Sequence, residues 1–203
     1  MSQHGFFAET NRLEAFSDAV IAIIMTIMVL ELHVPEEPTL AALVPLLPVF
    51  LSYFLSFVFL AIYWNNHHHL LHATTGVTGG ILWANMHLLF WLSLIPFTTE
   101  WLGIHITESA PSVLYSIVLL GAAIAYFILT RLIILNQGKD SKLAQAIGGD
   151  AKGYISILLY LIAIGGSFIH TGISIACFVI VALMWIVPDR RIVKMHDHEG
   201  DHE

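Results

Sequence analysis

An all-α integral membrane protein of six spanning helices is the fold class this sequence predicts, and three observations predict it. Of the 203 residues, 57% are hydrophobic and 11% charged, with a mean hydropathy of +0.79, which is too apolar for a soluble domain of this length. The apolar residues gather into six runs, most of them near the roughly 20 residues that cross a bilayer core. All eight Lys and Arg residues then fall on one side of the membrane.

The first run, 13–33, sits in RLEAFSDAVIAIIMTIMVLEL. It is long, has an acidic residue at its entrance and lacks a small-residue cleavage site after it, so it reads as a spanning helix and not as a signal peptide. The second, 40–64, opens after the turn residues Pro35 and Pro38, and the third, 80–103, after Thr74-Thr75-Gly76. The fourth, 111–136, starts at Pro111 and stops before Gly138. The fifth and sixth, 153–169 and 171–188, are separated only by a short Phe168–Gly172 connection, as in a tight hairpin, and Pro188 closes the last. Residues 1–188 thus form one domain with no internal repeat. The tail 189–203, ending HDHEGDHE, is expected to be solvated and disordered.

Arg12 precedes the first helix, Arg131, Lys139, Lys142 and Lys152 surround the loop after the fourth, and Arg190, Arg191 and Lys194 follow the sixth. That asymmetry orients both termini toward the cytoplasm. The opposite side carries Glu31, Glu36, Glu37, Glu100 and Glu108 without a cation, a negative field that concentrates cations if it does more than solvate loops. Eight basic residues are too few for a nucleic-acid surface, so nucleic acid is set aside as a partner. Cys177, the single cysteine, cannot form an internal disulfide and reads as a small apolar packing residue.

At about 100° per residue, Ile23, Thr26, Ile27 and Leu30 share one stripe of the first helix, continued toward its start by Ala19 and Phe16. On its own this stripe is ordinary helix packing, with the Thr26 hydroxyl returned to the carbonyl of Ala22. Asp18 lies about 140° from Ile23 on the same wheel and faces neighbouring helices. A carboxylate at that depth is expensive unless paired. The first helix begins where the second ends, which brings Arg12, Ser17 and Asp18 level with Trp64, His67 and His68. We expect a bracing network there, with Asp18 accepting from a histidine ring, Arg12 balancing charge and Ser17 capping.

His68 and His72 have the i, i+4 spacing of a zinc helix. No carboxylate or cysteine is close in sequence, and His196, His198 and His202 lie in the acidic tail. No metal, cofactor or catalytic residue is therefore assigned, and the chain does not read as an enzyme.

Three motifs in order carry a resemblance. Arg12, three residues, then Phe16-Ser17-Asp18; Tyr63-Trp64-Asn65-Asn66-His67-His68; and the run from Asn85 to Ile95-Pro96-Phe97-Thr98 together resemble the transmembrane protein 175 family, the endosomal and lysosomal potassium channel with its shorter prokaryotic relatives. The resemblance covers the first half of the chain well and the second only in hydropathy. It implies a homotetramer whose central pore is lined by helix 1, with Ile23 as a hydrophobic constriction extended by Ile27 and Leu30, and Thr26 as a ring of hydroxyls. A narrow apolar tube empties of water and so closes without a plug. No TVGYG-like loop occurs, so the implied activity is passive, potassium-preferring conduction with modest selectivity over sodium. Potassium and other monovalent cations would be permeant ions, and the single-repeat relatives imply a prokaryotic plasma membrane. Three other classes stand beside it: a proton-conducting or proton-coupled carrier using Asp18, His67 and His68; a metalloenzyme using the helix 2 histidines; and an oligomeric membrane scaffold.

Overall fold

Helix follows helix along the chain, because each apolar run can satisfy its backbone groups internally only as a helix. The computed structural model describes residues 3–138, 141–147 and 151–186. Its elements are α1 (Gln3–Leu30), a 3₁₀ helix (Leu40–Leu46), α2 (Leu47–His72), α3 (Gly79–Ser93), α4 (Ile95–Ile104), α5 (Ser109–Gln137), the short α6 (Lys142–Ile147), α7 (Ala151–Gly166) and α8 (Thr171–Ile186). Among the described residues, four segments are long and apolar enough to cross a membrane: Thr10–Leu30, Leu40–His72, Gly79–Ile104 and Ser109–Gln137. α7 and α8 are shorter apolar helices of 16 residues each, joined as the expected tight hairpin. Lys139, Arg190, Arg191, Lys194 and the tail 189–203 lie outside the described residues.

Several boundaries differ from those the sequence suggests, each for a local reason. α1 begins upstream of the expected position 13 and stops at Leu30 rather than 33. The third run is two helices, because Pro96 has no N–H to give the carbonyl of Leu92 and its ring crowds that carbonyl; α3 ends at Ser93 and α4 starts at Ile95. α2 runs on to His72, eight residues past the expected end at 64. There the Asn66 amide donates to the Ile62 carbonyl at 2.8 Å, and Leu70 and Leu71 are buried, so the histidine run is helical and packed.

α5 is the hub, packing against α3, α4, α7 and α8, while α2 packs on α4 and α1 rests on α2, α3 and α4. Its buried positions, among them Ser112, Tyr115, Leu119, Ala122, Ala125, Leu129 and Ile133, recur at helical spacing. Lipid supplies no hydrophobic drive between helices, so small residues and hydroxyls do much of the joining. The Tyr115 and Ser56 hydroxyls are 2.7 Å apart, and Thr99 Oγ1 lies 2.7 Å from Ser56 Oγ, linking α5, α2 and α4. Ser167 Oγ similarly lies 3.0 Å from Ser112 Oγ and 2.7 Å from Ser174 Oγ, fastening the α7–α8 hairpin to α5.

Gly121 is where α5 meets α3 most closely. A Cβ built there would come within 2.4 Å of the Trp91 indole, closer than real contacts allow. Gly121→Ala is expected to cost about 1–3 kcal/mol of stability through overpacking. Trp91→Leu in the same chain should recover part of that loss, as read by the melting temperature in detergent.

Candidate functional site

α1 presents two unlike faces. Leu13, Ser17, Ile21, Ile24 and Met28 are buried against the rest of the subunit, at spacings of three and four residues that make one continuous stripe. The opposite face is bare. Phe16 is 51% exposed, Ile23 57%, Ile27 40% and Leu30 78%, and Ala19 and Thr26 are exposed beside them. Thr26 Oγ1 donates to the carbonyl of Ile23 at 2.8 Å, three residues back and not to Ala22. With its hydrogen committed to the backbone, the hydroxyl turns oxygen lone pairs outward.

The buried face is held by a polar chain crossing three helices. His67 on α2, fully buried, brings Nε2 to 2.7 Å from Oδ1 of Asn85 on α3. The Asn85 amide nitrogen donates to Ser17 Oγ at 2.9 Å, and Ser17 donates to the Leu13 carbonyl at 2.8 Å. Because Asn85 Oδ1 only accepts, Nε2 is the protonated nitrogen of His67. Its Nδ1 is buried without a hydrogen-bond partner among the described residues. Ser17 therefore lies within α1, bonded to the preceding turn, and does not cap it.

A second, more exposed arm lies alongside. Trp64 Nε1 donates to Asp18 Oδ1 at 3.0 Å, and His68 Nδ1 is 2.7 Å from Glu14 Oε1. The indole of Trp64 and the ring of His68 stack at 6.1 Å, and His68 stacks on His72 at 6.0 Å. The expected pairing of Asp18 with a histidine is thus replaced: Asp18 takes the indole, and the carboxylate on the histidine is that of Glu14. Arg12 is exposed and does not pair with Asp18.

Two members of this network went unassigned in the sequence, and each left a signal. Glu14 stands four residues before Asp18, on the same side of a helix. Asn85 is an amide inside an apolar run, and such a group needs a partner once buried.

Just past the far end of α1, Glu31 stands beside Glu100 of α4. Both line an open cleft of about 490 Å³ together with Ile23, Ile27, Pro96 and Phe97. The bare stripe therefore ends beside a pair of carboxylates.

Comparison with known proteins follows the same segments. The family model described as endosomal/lysosomal potassium channel TMEM175 matches residues 12–96, which contain the Arg-x-x-x-Phe-Ser-Asp motif, the Trp64–His68 run and Pro96. A potassium channel of a Chryseobacterium species is 54% identical over 91% of this chain and 96% of its own length. A potassium channel of Chamaesiphon minutus is 32% identical over 85% and 92%. The crystal structure of a lysosomal potassium-selective channel TMEM175 homologue from Chamaesiphon minutus superposes with a TM-score of 0.78 at 27% identity, covering 90% of this chain and 98% of that one.

Proposed function

Since the chain belongs to the TMEM175 family of potassium channels, a channel family and not an enzyme family, we propose that it assembles as a homotetramer around a central pore lined by α1 and conducts potassium passively across a prokaryotic plasma membrane. Six spans per subunit, with α7 and α8 as the last two, and cytoplasmic termini complete the reading. The observation that carries it is the bare apolar face of α1. Ile23, Ile27 and Leu30 are exposed on a helix whose other face is braced by buried hydrogen bonds, and among the described residues of one subunit nothing buries them. Closed rotational symmetry brings four such faces around one axis. Ile23, Ile27 and Leu30 then form the constriction, closed by dewetting.

Thr26 is the one polar side chain of α1 between Asp18 and Glu31, and its outward lone pairs suit a partly dehydrated cation. The carboxylates of Glu31 and Glu100 add a negative field at one end of the same face. The reading is tested by potassium, sodium and proton flux through liposomes holding the purified protein. Thr26→Ala should leave conduction intact and reduce potassium preference over sodium roughly two- to tenfold, the worth of a hydrogen bond of about 0.5–1.5 kcal/mol. A preference unchanged by Thr26→Ala would remove the hydroxyl ring from the selectivity step. Proton flux exceeding potassium flux would favour instead the carrier reading through Asp18, His67 and His68.

A further inference from the structure

We propose that Glu14, Asp18 and His68 form a divalent transition-metal site that clips α1 to α2. The spacing of His68 and His72 alone suggested half of such a site with no carboxylate to complete it, and folding supplies the carboxylates from another helix. One ligand atom from each of Glu14, Asp18 and His68 lies within 4.8 Å of the others. Ligands around a tetrahedral zinc at about 2.1 Å stand about 3.4 Å apart, so small side-chain rotations would close the set. Glu14 and Asp18 are one turn apart on α1, an arrangement in which like charges repel. Their two negative charges match one divalent cation, which would take the place now held by the contact of 2.7 Å between His68 and Glu14.

The surroundings fit a metal as well as the ligands do. Trp64 donates to one oxygen of Asp18, fixing the carboxylate while its other oxygen retains accepting capacity. His68 is 42% exposed, which gives an ion a way in and leaves room for water to complete the shell. An imidazole with two carboxylates suits zinc, manganese or ferrous iron, whereas magnesium and calcium prefer oxygen alone. A metal bound there would tie the pore-facing helix to its neighbour and restrict the small rotation by which Ile23 gates. This consequence rests on the channel reading. The site itself does not.

The test uses the full chain with His196, His198 and His202 replaced by Gln, so that the tail adds no sites, and zinc as the probe. Equilibrium dialysis should give one zinc per subunit, displaced poorly by magnesium, and zinc should raise the melting temperature. Glu14→Gln keeps an acceptor for His68 but loses the charge, and His68→Gln loses the imidazole. Each should weaken zinc binding at least about tenfold while eluting as the parent does without zinc, and Asp18→Asn provides a third arm if either misfolds. Zinc affinity equal to the parent's in the folded variants would overturn the site. In liposomes, zinc applied on the Glu14 side should slow potassium flux in the parent and not in Glu14→Gln; flux unaffected by bound zinc would overturn the clip. Absence of potassium flux without zinc would instead strike the channel reading and leave dialysis to decide the site.

Discussion

Ile23→Asn is expected to raise resting potassium leak in reconstituted liposomes by at least about tenfold, equivalent to about 1.4 kcal/mol off the barrier to conduction. The side chain is 57% exposed on the bare face of α1, at the edge of the cleft and outside the buried core, so the fold should tolerate asparagine there. Its consequence lies in the pore of the proposed tetramer. A ring of amides holds water where a ring of isoleucine side chains expels it, and an ion that keeps its hydration crosses at lower cost. Because wetting is indifferent to the cation, sodium leak should rise in parallel with potassium, in contrast to the altered ratio expected of Thr26→Ala. The matched control is Leu161→Asn, also an exposed apolar residue, at 52%, but on α7. A rise at both positions would indicate general loosening of the protein, and none at Ile23 would remove α1 from the constriction.

Helical periodicity, a local property, made the stripe of Ile23, Thr26, Ile27 and Leu30 legible as one face, but on periodicity alone it read as ordinary packing, and the face that is buried was not picked out. Leu13, Ile21, Ile24 and Met28 are strongly apolar at the spacing a packed face needs, and Asp18 falls off the stripe of Ile23 by wheel angle alone. The resemblance in Arg12, Phe16, Ser17 and Asp18 was equally local, and the family it named is the one the comparisons give. Partners across helices were not legible. Whether the histidine ring met Asp18 or Glu14, one turn apart on α1, depends on how α2 sits along and around α1, which no local pattern encodes. Leu70 and Leu71 are buried within one turn of that histidine, in a stretch where the sequence suggested that the helix had already ended. The split at Pro96 illustrates the reverse case. A proline inside an apolar run is visible, yet hydropathy averages over it, and only the lost hydrogen bond shows that one span consists of two helices.

Asn85 is the residue on which the braced face depends, and its replacement should be the most damaging single change in the network. It accepts from His67 at 2.7 Å and donates to Ser17 at 2.9 Å, so Asn85→Leu removes both bonds at once. The N–H of a fully buried histidine is left without an acceptor, and its other ring nitrogen already lacks a partner among the described residues. Each buried group orphaned in this way costs about 1–3 kcal/mol, and the loss should appear as a lower melting temperature and, in the proposed tetramer, as dissociation of subunits. Combining Asn85→Leu with His67→Leu separates two causes. If the cost is the unsatisfied imidazole, an apolar pair of similar volume should restore most of the stability, because removing both partners of a buried hydrogen bond is far less costly than removing one. Stability would return while the link from α2 through α3 to Ser17 stayed cut, so α1 would be free to rotate. The double variant should therefore assemble yet conduct with altered gating, measured as a changed resting leak with an unchanged potassium-over-sodium preference. Wild-type leak in a stable double variant would show that the polar chain serves folding alone, with the angle of α1 held by the Trp64–Asp18 and His68–Glu14 contacts instead.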